Sequence, residues 1–450
     1  MLPNIKIEQI NIWENELTKT LNKLKKNNVD VDSLINYLKE NTLNNSIDLN
    51  NYVGHIWFDK IEINIFPKIF NNIYGKEANY KLFTNIKYWY FYAHNNDKNK
   101  KNFLNHYGTA EKYNKLPNYS IVDWFLEHYV CQVFNVFKKQ VYHQYNLVKK
   151  DILFIKGKID FNEYFKNKIS KGYFFKFKSS FFEYTHKNLF NQIVKKCLKV
   201  ILLKLDKSYS DTNKLIRELL GYLQDVNDTN ISKKDCDLIN FHNLPFEFKN
   251  ILQMSKVILQ NSYFNNYGKF IGFSLLLNMY DVFEKFVQEK LKEANIEVKD
   301  KKSYILGEWE NTQKNFNNLN LSNIASLNPL IKPDIVIVQD KIQIIADCKY
   351  KKKIKESDLY QLITYSYSLL NEKDESKSKN IEKVTSSSAI LIYPLLESET
   401  IETFYKKFII DDERKTNIHI LKVPFLCNIE TGEPDNISMF INKIKDIVEI

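Results

Sequence analysis

Two apolar runs of strand length carry acids where a buried strand would not ordinarily keep them. The run DIVIV at 334–338 opens on Asp334, and IQIIADCKY at 342–350 holds Asp347 near its end with Lys349 two residues later. Strand side chains alternate, so Asp347 and Lys349 share a face about 7 Å apart, with Cys348 turned to the other face. A hairpin that pairs Val338 with Gln343 continues through Val336 and Ile345 and sets Asp334 opposite Asp347. Where two carboxylates and one ammonium gather at the end of a buried hairpin, the like charges repel and hydration is lost unless a partner compensates. A hard divalent cation is that partner. Mg²⁺, with Mn²⁺ as a substitute, takes one or two carboxylates plus waters and can hold a phosphate, lower the pKa of an attacking water and stabilise a leaving oxygen. Lys349 would orient that water or help deprotonate it, and neutralise developing charge. The chemistry so predicted is hydrolysis of a phosphodiester.

Spacing alone is weak support in a chain with 65 basic and 54 acidic residues. The weight comes from the context: consecutive apolar strands, Pro333 just before the first acid, and a following helix. That helix, expected over 356–371, sets Gln361 and Tyr365 four residues apart on one face, within reach of a phosphate, the nucleophile or Lys349. In the preceding helix, MYDVFEKFVQEKL, Glu284 lies beside the apolar side formed by Met279, Phe283, Phe286 and Val287. It is a candidate further carboxylate, and equally a solvated helix acid.

The elements that must position these residues read as a mixed α/β chain of several parts. Two short helices are expected at 11–27 and 31–40, then a hairpin of VGHIWF and IEINIFP across Asp59 and Lys60. Residues 95–118 and the charged, serine-rich stretch between Asn371 and Ser388 read as loops. A long helix over 120–145, a strand ILFIKGKIDF, and a strand and helix through KFKSSFFEYTHKNLFNQIVKKCLKVILLKL make a mainly helical middle. The C-terminal part is expected as helix 273–294, strands 331–338 and 342–349, helix 356–371, strands 388–395 and 417–424, and helix 435–448. Three parts follow: 1–118, helices plus a hairpin; 119–270, mainly helical; and 271–450, carrying the acids and Lys349.

Composition narrows the function classes. At 450 residues and 44% hydrophobic, the chain has ample material for more than one core. No apolar run approaches the length of a membrane span and the N-terminus lacks a signal-peptide pattern, which predicts a cytoplasmic protein without a membrane partner. The five cysteines show no metal-binding spacing, in keeping with free thiols. A net charge of +11 favours nucleic acid, yet only Arg217 and Arg414 are arginines, so the lysine excess equally reflects an A and T rich genome. Aromatics at helical spacing in the middle part are read as core rather than base-stacking platforms. No P-loop, G-x-S-x-G elbow or HExxH pair occurs.

PDIVIV, IIADCKYKK and DLYQLITYSYSLL together resemble the PD-(D/E)xK nuclease superfamily, and more narrowly the McrC family, nuclease subunits of McrBC-type modification-dependent restriction systems. VGHIWFDKIEINIFPKIF, ILFIKGKIDF, SFFEYTHKNLFNQIVKKCLKVIL and GFSLLLNMYDVFEKFVQEKL extend the resemblance over about residues 52–370. It implies a restriction-endonuclease-like C-terminal core in which Asp334, Asp347 and Lys349 are catalytic, with Glu284 and Gln361 assisting. The metal would sit on Asp334, Asp347, Glu284 and the backbone carbonyl of Cys348. It further implies Mg²⁺-dependent cutting of double-stranded DNA, directed to 5-methylcytosine or another modification. Control would come from a McrB-like AAA+ GTPase engaged by the N-terminal region. IKGK stands where an arginine-containing segment is expected, and Asp-Cys-Lys where Asp-Thr-Lys is usual. A stand-alone repair nuclease and a non-enzymatic activator of an AAA+ motor are the competing readings.

Overall fold

The chain is described here from a computed structural model at residues 8–26, 51–58, 61–94, 121–205, 210–264, 270–299, 304–305, 330–339, 342–370, 388–400, 404–410 and 417–448. The first elements are β1 (Glu8–Trp13), α1 (Leu17–Lys26), β2 (Tyr52–Phe58), β3 (Ile61–Phe66), α2 (Gly75–His94) and α3 (Ile121–Phe137). The middle holds β4 (Gln144–Ile152), β5 (Lys158–Ile159), α4 (Phe161–Asn167), β6 (Phe177–Thr185), α5 (Leu189–Lys204), α6 (Ser210–Tyr222), α7 (Lys233–Asp237) and α8 (Phe246–Asn261). Then come β7 (Ser262–Phe264), β8 (Phe270–Asn278), α9 (Met279–Glu293), β9 (Val298–Lys299), β10 (Tyr304–Ile305), β11 (Leu330–Ile331), β12 (Ile335–Gln339) and β13 (Ile342–Cys348). The last are α10 (Glu356–Leu370), β14 (Ser388–Pro394), β15 (Tyr405–Ile409), β16 (Asn417–Val423) and α11 (Ile437–Val448). The fold is mixed α/β. No helix among the described residues is long and apolar enough to cross a membrane.

The N-terminal sheet has the order β1-β3-β2-β8-β7. The expected hairpin forms as β2 and β3, with Ile56 opposite Ile63. The helix expected from residue 11 begins instead as β1, parallel to β3. Ile10 and Ile12 repeat every second residue there, the period of a strand, and α1 starts only after a turn in which Glu16 accepts from the Trp13 amide at 3.2 Å. The helix expected from 273 is likewise a strand up to Asn278, because β8 lies between β2 and β7. A strand inside a sheet and covered on its faces reads as a continuous apolar run, which periodicity does not separate from a buried helix. Asn278 then caps α9 by accepting from the Tyr280 amide at 3.1 Å. The boundary drawn at 271 thus falls at the start of a strand that belongs to the N-terminal sheet. The helix at 31–40 and the loops at 95–118 and between Asn371 and Ser388 lie outside the described residues.

In the middle, the expected long helix stops at Phe137, and the strand is QYNLVKKDI rather than ILFIKGKIDF. Gly157 explains the difference: it has φ +68 and packs so closely on β6 that a Cβ would sit 2.3 Å from the Ser180 carbonyl. The segment turns there and returns as the two-residue β5.

The six-stranded C-terminal sheet runs β15-β16-β14-β13-β12-β9, with β13, β14 and β16 parallel. One face packs on α10 through Val336, Ile345, Leu362, Leu391 and Ile418. The other joins the large core with Phe283 and Phe286 of α9. Helix α2 locks the segment after β16 onto this core: Trp89 stacks on Phe425 at 5.0 Å and donates to its carbonyl at 3.2 Å. One turn earlier, the fully buried Asn85 accepts from the Cys427 amide at 2.9 Å. Replacing Asn85 with alanine leaves that amide buried and unpaired, and a loss of about 1–3 kcal/mol is expected in urea unfolding. A change under a few tenths of a kcal/mol would show that water replaces the bond.

Candidate active site

The expected register is present. In the antiparallel β12–β13 pair, Val338 faces Gln343 and Val336 faces Ile345, and the last pair is Ile335 with Ala346. One step further the chain brings Asp334 beside Asp347. The Asp334 carboxylate accepts from the Cys348 amide at 2.9 Å, so it is tied across the hairpin end. Asp347 is 1% exposed and shares the α10 face with Ile345. Cys348 points the opposite way, buried in the large core with Ala346 and Ile344. Its thiol is pushed well up by burial and by the carboxylates of Asp334, Asp347 and Glu284.

Lys349 Nζ lies 2.6 Å from Asp347 Oδ2. That ion pair makes the ammonium the direct partner of the buried oxygen. The ammonium also donates to Gln361 Oε1 at 2.9 Å, and the Gln361 amide nitrogen donates to the Tyr365 hydroxyl. Burial alone would lower the Lys349 pKa, but Asp347 and then Asp334 outweigh it and hold the group above its ordinary value. For Asp347 the balance runs the other way. Burial and then the neighbouring Asp334 push its pKa up to about 7, against the pull of Lys349. A carboxyl so placed is short of positive charge.

Of the residues picked from the sequence, Asp334, Asp347, Lys349 and Gln361 are brought together. Glu284 approaches from the α9 side. Gln288, one turn on, donates to Glu284 at 3.1 Å and to the Asp334 carbonyl at 3.1 Å, so α9 is fastened to the same hairpin end. Among the described residues, no three His, Cys, Asp or Glu side chains gather as a metal cage. The carboxylates placed to share a cation are Asp334 and Asp347.

Two residues went unnoticed. Asp358, 3% exposed in the first turn of α10, accepts from Lys351 Nζ at 2.5 Å and from the Tyr393 hydroxyl at 2.9 Å. It lies three residues before Gln361, so helical spacing could have picked it out. Tyr393 comes from β14, and nothing local in the sequence connects it to Lys349.

A family model described as McrBC 5-methylcytosine restriction system component matches residues 47–394, well over half of the chain. No curated protein matches it. Among solved structures, the fold is similar to a chain of the refined half-complex from a tetradecameric assembly of Thermococcus gammatolerans McrB AAA+ hexamers with bound McrC. The TM-score is 0.59 at 15% identity, covering 88% of this chain and 83% of that chain. A chain of the cryo-EM structure of the Thermococcus gammatolerans McrBC complex is similar at TM-score 0.45 and 14% identity, over 65% of this chain and 89% of that one. The family match runs from just before β2 to the end of β14 and includes α9, the acidic hairpin and α10, and this chain belongs to the family of McrBC 5-methylcytosine restriction system components.

Proposed function

We propose that this chain is the McrC-type nuclease subunit of a modification-dependent restriction system. It would hydrolyse phosphodiesters in double-stranded DNA, with Mg²⁺ or Mn²⁺, under the control of a McrB-like AAA+ GTPase, in the cytoplasm. The observation that carries the reading is the hairpin end where Asp334, Asp347, Lys349 and Gln361 meet, which supports a PD-(D/E)xK centre.

The donor set suits such an ion. Asp334 and Asp347 stand side by side at the buried hairpin end with the Lys349 ammonium beside Asp347, and burial and then Asp334 push the Asp347 pKa up to about 7. Two carboxylates match an ion that keeps most of its own waters. Asp334 and Asp347 would hold the metal, joined by the Cys348 carbonyl, with Glu284 acting from the α9 side. When bound, the ion would supply a phosphate-holding Lewis acid and a more acidic water. Lys349 orients the attacking water and neutralises charge on the phosphate as it develops. Gln361 holds the Lys349 ammonium in line, and Tyr365 holds Gln361. Asp358 fixes the start of α10 through Lys351 and Tyr393 and so keeps Gln361 at the correct height.

The partner is supported by a similar fold in a complex of McrB AAA+ hexamers with bound McrC, and by an exposed apolar surface. On one face of the β4–β6 pair, Tyr145 and Tyr184 stand opposite each other, as do Leu147 and Phe182, and all four are more than half exposed. A monomer rarely leaves so much apolar surface uncovered. This surface lies in 144–185, outside the 1–118 part to which partner binding was first given.

Reconstitution tests the whole reading. The chain, its GTPase and methylated duplex DNA should give Mg²⁺- and GTP-dependent cutting that EDTA abolishes. Exchanging Phe182 and Tyr184 for serine should weaken co-elution with the GTPase about tenfold or more while leaving the melting temperature nearly unchanged. Nucleotide-independent cutting by the chain alone would point to a stand-alone repair nuclease. No Mg²⁺ or Mn²⁺ affinity dependent on Asp334 would point to a non-enzymatic adaptor.

A further inference from the structure

Tyr350 follows Lys349 directly, so the two leave β13 on opposite faces: Lys349 toward α10 and Tyr350 toward α9. The Tyr350 ring is fully buried against Tyr280 and Phe283 of α9 and against Phe425, at centroid distances of 5.9, 6.1 and 6.3 Å. Its hydroxyl donates to Glu14 Oε2 at 3.4 Å, and Lys68 Nζ sits 4.2 Å from its ring centre and 2.9 Å from Glu14 Oε1. Glu14 follows β1 and Lys68 follows β3, the two parallel strands whose ends meet at Trp13 and Phe66. One end of the N-terminal sheet therefore clasps the residue next to Lys349.

A buried glutamate is costly to desolvate, and a single lysine over an aromatic ring compensates it here. Such a pair adds little to stability compared with apolar packing, but it fixes position, because every partner sits at a defined distance. Lys349 Nζ lies within 3 Å of both Asp347 and Gln361, and a shift of about 1 Å at a centre of this kind can lower turnover by roughly a hundredfold.

We propose that Glu14 and Lys68 are positioning residues of the nuclease centre, which hold Tyr350 and through it tie the placement of Lys349 to the N-terminal sheet. The proposal rests on the nuclease reading for its effect on cutting, while the tie itself is measurable without it.

The experiment uses the full chain with Glu14→Gln, Tyr350→Phe, their double variant, Lys68→Met and Lys68→Arg. Hydrogen exchange should rise about tenfold in the 347–351 segment in Glu14→Gln and Tyr350→Phe, with the 417–423 strand unchanged. In the reconstituted complex kcat should fall about tenfold or more with the KM for DNA and the calorimetrically titrated Mn²⁺ affinity both unchanged, as for a loss felt at Lys349 alone. The double variant should be no worse than the poorer single one, since both remove the same link. Lys68→Arg should retain more activity than Lys68→Met. Unchanged exchange at 347–351, exchange raised evenly along the chain, or single effects that multiply in the double variant would each overturn the proposal. A local exchange response from a wild-type complex that cuts no DNA would keep the tie and sink the nuclease reading.

Discussion

Alanine at Asp347 should abolish metal-dependent cleavage by the reconstituted complex, with a loss of about a thousandfold or more in kcat. The side chain is 1% exposed and flanks Asp334, so its removal leaves one carboxylate where the proposed ion would have two. Lys349→Met should lose a comparable factor with metal affinity retained, because in the proposed reaction the ammonium would act on water and phosphate rather than on the ion. Gln361→Ala should lose less, about tenfold, since Lys349 keeps its contact with Asp347 at 2.6 Å. Comparing all three in calorimetric Mn²⁺ titrations and in cleavage separates the roles. Wild-type cutting by Asp347→Ala would remove the centre from the reaction altogether.

The metal-free chain should lose stability as the pH rises from about 4 to about 7, by an amount on the order of a few kcal/mol. The sign follows from Asp347. In the unfolded chain an aspartate titrates near 3.9, as an approximate reference value, while the folded group is pushed up to about 7 by burial and Asp334. Between those values the unfolded chain has shed a proton that the folded chain still holds, so each step up in pH favours unfolding. Stability is full below the unfolded pKa and lost as the pH passes through the folded one. Mg²⁺ at the proposed site would favour the deprotonated pair and should reverse the loss, raising the melting temperature more at pH 8 than at pH 5. Asp347→Asn should flatten the pH slope in EDTA and be more stable than wild type at pH 8. Identical slopes for the two proteins would show that Asp347 keeps an ordinary pKa.

Much of the candidate site was legible because its geometry is local. Asp334, Asp347, Cys348 and Lys349 lie on or directly beside two paired strands that are close in sequence, and a period of two residues settles both register and face. Gln361 and Tyr365 followed from helical spacing on the next element. Reading failed where an apolar run admits two structures. GFSLLLN has the composition of a buried helix or a buried strand, and only its place between β2 and β7 makes it β8. EQINIW looked like the start of a helix because the amphipathic pattern of α1 follows closely; β3 provides the hydrogen bonds that hold it extended. ILFIKGKIDF carried strand formers, yet Gly157 turns the chain, and β6 pairs with the segment before it.

That Asp334, Asp347 and Lys349 come together at one hairpin end was determined by the sequence alone, since strand alternation and register act over a few residues. Which groups surround it was decided only by the tertiary structure. Asp358 reaches Tyr393 across 35 residues, and Glu14 reaches Tyr350 across 336. Contacts of that span depend on how sheets and helices pack, and no spacing in the chain encodes them.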